Sequence, residues 1–448
     1  MKKFVVLSLI ALLVLAFGSM AFAQAKKEEP KLEFKASGFI DAQTEYFRNA
    51  TLATIALNNQ KHAFMETRAH LKFDFIYGKN VSGTFHFEMD SSQWGDAAGG
   101  RNQLGLMNAD QVAVEIKHLF FDFGLPFIPV PTQMRVGLQG LAVRPHMLIS
   151  TDATGISTFV KVDPAMIRLF WFKYLEGDAF DSDDVDVYGL DVNAKIDKIT
   201  VGGYGVHFNM NTYPVAYAAA PANQANATYV GLYADGKVGP VNINFDFIHN
   251  RGKIEPRVGA DTKLRGWATR LKVDFPWEKF NFGVVGAYGS GDKKTTATKN
   301  EAYLIPPGSE SPAVFGESLV FFSSWVNRGN TGIRGGVAGT AFADRPLGGV
   351  WFGKLYGSFA ATPWYKVTLQ ALYIGDTTKN GNTVGTSPRD HKTIGWELDL
   401  INEFQIYKQL KYQIGGGFMT RGDALKFGAA EVKPKTPWII TSRLLYSF

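Results

Sequence analysis

From about Glu33 onward, polar and apolar residues alternate one for one over short runs. The clearest run is Phe64 to Tyr77, where Glu66, Arg68, His70, Lys72 and Asp74 interleave with Met65, Thr67, Ala69, Leu71, Phe73 and Phe75. Side chains alternate faces along an extended strand, so this period of two gives one polar face and one apolar face. The pattern returns as Thr84, His86, Glu88 and Asp90 against Phe85, Phe87 and Met89. Gln133/Arg135/Gln139, Asn242/Asn244/Asp246, Arg270/Lys272/Asp274 and Glu397/Asp399/Glu403 repeat it, each set against apolar neighbours. No sustained helical period competes, which predicts an all-β chain. A soluble sheet of this kind needs a second layer over its apolar face, whereas a closed barrel in lipid does not.

The connections sharpen the expectation. Short turns are predicted at Gly78-Lys79-Asn80, Asp163-Pro164, Ile196-Asp197-Lys198, Val238-Gly239-Pro240, Pro276 to Lys279, Thr362-Pro363 and Tyr407 to Gln409, with Gly124 to Pro131 a longer member. Between them lie longer polar or glycine-rich stretches at 48–63, 91–110, 140–155, 175–184, 210–227, 250–265, 290–349, 376–391 and 422–436. Short turns at one end and long loops at the other are the mark of a transmembrane antiparallel β-barrel, with turns facing the periplasm and loops the exterior. The count of strands between them is 18; 16 is the alternative, depending on the weak segment 156–162. The chain ends on another alternating strand. Trp438, Ile440, Leu444, Tyr446 and Phe448 share one face, broken only by Ser442, while Thr441, Arg443 and Ser447 share the other with Leu445. An aromatic last residue, Phe448, resembles the terminal signal that bacterial outer-membrane barrels present to the barrel assembly machinery.

At the other end, Met1-Lys2-Lys3, the apolar run Phe4 to Phe17 and Ala21-Phe22-Ala23 predict a signal peptide over 1–23. A charged periplasmic leader is then expected over 24–32 and the barrel over 33–448. That division leaves no room for a globular plug ahead of the wall. After residue 23 no apolar run is long enough for a membrane helix, so any span must be made by strands. Aromatics at 14% are plentiful enough to supply two interfacial belts. The absence of cysteine excludes disulfides, thiolate metal sites and cysteine nucleophiles. The formal charge of +6 counts Lys2 and Lys3 and is nearly balanced over this length, so it does not argue for nucleic acid.

Enzyme signatures are missing. There is no His-Glu-x-x-His pair, Gly-x-Ser-x-Gly elbow or phosphate-binding Gly-x-x-x-x-Gly-Lys loop, and no catalytic residue, metal or cofactor is expected. Gly283-x-x-Gly286-x-x-Gly289 lies on a strand, where glycine admits a bulky neighbour. The eight histidines are read as lumen-facing or loop residues, since a catalytic reading needs converging partners; His207, in Gly-Val-His-Phe-Asn, has no serine or acidic partner placed beside it by sequence. Glu176, Asp178, Asp181, Asp183, Asp184 and Asp186 fail the calcium-loop pattern and read as a solvated loop edge. The candidate pore-lining or constriction residues are Arg68, Lys72, Glu88, Arg135, Arg144, His146, Asp246, Arg270, Glu397 and Arg443. Inward charges of both signs suit a wet lumen, and a few of them at one height would set ion selectivity. The stretch 140–155, with Arg144 and His146, is the candidate for a segment folded into the barrel; an outward loop facing lipopolysaccharide is the competing reading. The longest stretch, 290–349, contains apolar Val320-Phe321-Phe322 and Trp325, which implies an extra hairpin, a lid or a patch on a neighbouring subunit.

One segment carries a family resemblance. Ser82-Gly83-Thr84, Phe87-Glu88, Trp94-Gly95, Val114-Glu115-Ile116-Lys117-His118, Asp122, Pro126, Val136-Gly137-Leu138-Gln139-Gly140-Leu141, Asp152-Ala153-Thr154-Gly155 and Asp184 to Leu190 resemble the outer-membrane homotrimeric porins of sulfate-reducing and related bacteria. The resemblance implies a trimeric channel in the Gram-negative outer membrane, passing small hydrophilic solutes and ions by passive diffusion. Membrane lipid, lipopolysaccharide and sister subunits would be its partners. Residues 392–423 are faintly similar to the end of alginate-export barrels, which makes a specific sugar or polysaccharide channel the alternative. A third reading is a barrel sleeve around an electron-transfer conduit.

Overall fold

The computed structural model describes residues 31–95, 103–104, 113–145, 147–177, 183–215, 223–310, 314, 316–322, 332–335 and 339–448. The expected signal segment, most of the leader, His146, Asp178, Asp181 and Trp325 lie outside these residues. Among the described residues, twenty strands form one sheet. Two of them, Gln103–Leu104 and Lys299–Asn300, are two-residue ladders laid parallel beside Gln93–Trp94 and Lys263–Leu264. The other eighteen are antiparallel and each pairs with its neighbour in sequence. The first, Leu32–Arg48, closes on the last, Trp438–Ser447, in a register running from Phe39–Ser447 to Arg48–Trp438. Backbone bonds between Gly38 and Phe448 (2.9 and 3.1 Å) finish the seam. Closure leaves no unpaired edge, the condition for backbone to cross lipid as strands. The barrel has 18 strands, and the segment that looked weak is the second half of a full wall strand, Ile149–Val162.

The predicted short turns are all present between wall strands. In the turn after Asn223–Val238, Gly239 takes φ +58°, a conformation that costs glycine nothing. Two predicted loops are not loops. Residues 140–155 are strand Thr132–Val143, a connection over 144–148 and the start of Ile149–Val162. Residues 250–265 are mostly strand as well, Val241–Pro256 and Thr262–Trp277 with five residues between. The reason is physical. At this end of the barrel the inner face meets folded-in protein, which buries Leu141, Val143, Ile149 and Leu264 inward, and the outer face carries Arg251, Lys253, Lys263 and Arg265, so the polar-inside, apolar-outside alternation vanishes.

On the outer face the alternation holds and ends in aromatics. Six wall strands carry a ring at each end of the outer face, eight residues apart: Trp267/Phe275, Tyr288/Phe280, Trp351/Phe359, Tyr373/Tyr365, Trp396/Phe404 and Trp438/Tyr446. Neighbouring rings touch along each belt, as in Trp267–Tyr288 (4.7 Å between centroids), Phe280–Phe359 (4.7 Å), Tyr373–Trp396 (4.7 Å) and Tyr365–Phe404 (4.9 Å). Eight residues rise about 26 Å along a strand, roughly 20 Å along the axis of a tilted barrel, close to the apolar band of such proteins. Leu355 stands midway between Trp351 and Phe359 and is 64% exposed. Leu355→Arg is therefore expected to lower the folding free energy in lipid vesicles by about 2–4 kcal/mol, read by urea titration. No loss would mean that this face meets water.

On the inner face, Gly283 lies opposite Tyr356 and under its ring, as expected of a glycine that admits a bulky neighbour.

Candidate pore and constriction

Each of the eight candidate charges on wall strands sits on the inner face; seven are ion-paired, and Glu397 instead accepts backbone N–H groups. Arg443 bonds Asp41 (2.6 and 3.0 Å) and Lys72 bonds Asp74 (3.0 Å). Arg68 bonds Glu88, which also takes Lys117 at 2.8 Å. Arg135 grips Asp122 with two bonds (2.8 and 2.9 Å), its guanidinium 4.1 Å from the Phe120 ring centre. Such forked pairs fix a guanidinium plane and add cation–π attraction. They form a wall of neutralised pairs.

Arg144 behaves differently, because it leaves the wall. From the connection at 144–148 it crosses to the strands Asn223–Val238 and Val241–Pro256, bonding Asp246 and both oxygens of Asp235 (2.5 and 3.1 Å). Asp246 is 1% exposed, so the cation compensates a carboxylate that has lost its water. Thus the 140–155 stretch does send a side chain across the interior, through a five-residue connection and not a long loop.

The larger inward structure comes from 290–349. Glu317 lies between two wall cations, with Arg270 at 2.5 Å and Lys354 at 2.5 Å. Burial alone would push its carboxyl up, but Lys354 and Arg270 outweigh burial and hold it down at about 2. Its backbone carbonyl accepts from Lys354 Nζ (3.0 Å) and Gln370 Nε2 (3.2 Å). Immediately after it, Glu397 accepts the N–H groups of Leu319 (3.0 Å), Val320 (2.6 Å) and Phe321 (3.0 Å), and Asp399 also accepts from Leu319 (3.1 Å). Val320, Phe321 and Phe322 are fully buried, with Phe322 4.9 Å from the inward ring of Phe352. Farther along, the Tyr303 hydroxyl donates to Met147 O and Glu310 N to Ser150 O (2.8 Å), so this segment meets the 144–148 connection inside the barrel.

These contacts join into one alternating string. Asn244 donates to Asp235 and accepts from Arg270, and Asp246 and Arg270 are cross-strand neighbours. Asp235, Arg144, Asp246, Arg270, Glu317 and Lys354 thus run with alternating sign from one folded-in segment to the other. Charges of both signs at one height can filter permeating ions by field and by width.

The closed antiparallel barrel has likenesses among solved structures. OccK11 (OpdR) of Pseudomonas aeruginosa superposes with a TM-score of 0.53 at 12% identity, covering 95% of this chain and 99% of that one. A BenF-like porin from Pseudomonas fluorescens Pf-5 gives 0.55 at 10%, covering 93% and 98%. Pseudomonas aeruginosa OpdK with vanillate gives 0.53 at 10%, covering 92% and 98%. The fold is a porin barrel. No protein-family model and no curated protein matches the sequence.

Within this porin fold, sequence reading missed Glu317, Lys354 and Asp235 as members of the string. The available signal was Val320-Phe321-Phe322, three apolar residues in a loop that should be polar. They pack inside their own barrel, which among the described residues replaces the expected hairpin or subunit patch. The acidic group around Asp184 is partly tied down, with Lys173 contacting Glu176 (3.0 Å), Asp184 (3.3 Å) and Asp186 (3.2 Å).

Proposed function

We propose that the chain is an outer-membrane porin that lets small hydrophilic solutes and ions diffuse passively through its lumen, without catalysis. The observation that carries this is the string from Asp235 to Lys354, charged side chains held across the interior of a barrel whose outside is banded for lipid. The members hold one another by ion pairs, so the constriction offers fixed width and fixed charge without a moving part. Lipid and lipopolysaccharide are the surroundings such a surface suits, and the resemblance over Val81 to Leu190 favours a homotrimer inserted by the barrel assembly machinery. Phe448, bonded into the seam beside Gly38, is the proposed assembly signal.

Swelling of liposomes in isotonic solute tests the proposal. Vesicles carrying the protein should swell in arabinose and glucose at rates that fall with solute size. Rates equal to those of protein-free vesicles for every solute would overturn it.

A further inference from the structure

Three histidines stand in a row across three adjacent wall strands, Lys61–Tyr77, Val81–Trp94 and Glu115–Gly124. His70 Nε2 meets Glu88 Oε1 at 2.9 Å, and His70 Nδ1 meets His86 Nε2 at 3.0 Å. His86 Nδ1 meets His118 Nδ1 at 3.1 Å, and His118 Nε2 meets Asp152 Oδ1 at 2.7 Å. All six ring nitrogens are used, and a carboxylate closes each end.

The protons can be counted. Four links need one hydrogen each, since a carboxylate accepts and two bare nitrogens repel. Three neutral imidazoles carry three. We infer that the row binds one excess proton, shared along Glu88–His70–His86–His118–Asp152, and that this makes it a proton-binding site in the lumen wall.

The surroundings fit a single added charge. Lys117 donates to Asp152 (2.7 Å) and contacts Glu88 (2.8 Å). It reaches both because it is the extra residue of a β-bulge, between the pairs His86–His118 and Phe87–Ile116. Arg68 bonds Glu88 and lies 3.5 Å from Asp90. Two cations thus face three carboxylates, Glu88, Asp90 and Asp152, and the excess proton brings the cluster to neutrality. Glu310, reaching Thr151 Oγ1 at 3.4 Å, faces Asp152 from the long loop; burial first, and Asp152 next, push its carboxyl up toward the neutral form. Lys72 is committed to Asp74, Arg135 to Asp122 and Arg443 to Asp41, and Glu115, the cross-strand partner of Glu88, is exposed to solvent.

Nitrogen NMR of isotope-labelled histidine in the lipid-embedded protein at neutral pH reads the count directly, with H70Q, H86Q and H118Q assigning the rings. Four N–H nitrogens and two bare ones over these three rings are expected; three and three would overturn the inference. A second reading rests on the porin proposal. Reversal potential should move toward cation selectivity in one single-proton step as pH rises, and H86Q, which holds no proton, should lack that step. A step of equal size in H86Q would overturn the link to permeation. The spectra are independent of conduction, so a silent barrel would not disturb the proton count.

Discussion

Glu317→Ala is expected to open the pore, raising single-channel conductance severalfold. The substitution removes the only carboxylate within ion-pair distance of both Arg270 and Lys354 among the described residues, so two buried cations repel each other and the segment between them. Breaking a buried pair from one side costs about 3–5 kcal/mol. The neighbouring backbone bonds from Leu319, Val320 and Phe321 to Glu397 and Asp399 then hold the segment without its side-chain ion pairs. Conductance should rise and anion preference with it, because two uncompensated positive charges remain on the wall. Acidity gives the same contact a direction. With its carboxyl held at about 2, well below the usual carboxylate range, Glu317 contributes anchoring that is complete above about pH 4.3 and is lost as pH falls through about 2. Conductance changes between pH 7 and pH 5 must then arise elsewhere. An unchanged conductance in the variant would show that Glu317 does not bound the narrowest point.

Arg144→Ala should act in the opposite sense. Asp235 and Asp246 lose their shared cation, and Asp246 is too buried to be rescued by water. A carboxylate pair left in the lumen favours cations. A field change of about 1.4 kcal/mol, modest for charges a few ångströms apart, shifts relative permeability about tenfold. Reversal potential in a potassium chloride gradient measures it. No movement toward cations would place the conduction path away from Arg144.

The wall was legible because water and lipid impose opposite demands on alternate residues. Wherever that contrast exists, as from Phe64 to Tyr77 or Trp438 to Phe448, the strand and its inward charges follow from the sequence. The contrast disappears where the inside is filled by protein or the outside is charged, which is why 140–155 and 250–265 looked like loops. Pairing was less legible still. Arg270 was readable as inward, but its partner Glu317 lies 47 residues away in a stretch with no period. Nothing local says that Leu319 to Phe321 will donate to Glu397; only the apolar triplet hinted that this loop avoids water. Arg144 was selected in the stretch that does reach inward, but its reach comes from a short connection and not from a long loop.

Single-channel recording of the purified native protein in a planar lipid bilayer tests the central claim most directly. Large ohmic steps are expected, closing in three equal levels, with a reversal potential that responds to Arg144 and Glu317. Silence, or small currents abolished by micromolar sugar, would contradict an open diffusion pore.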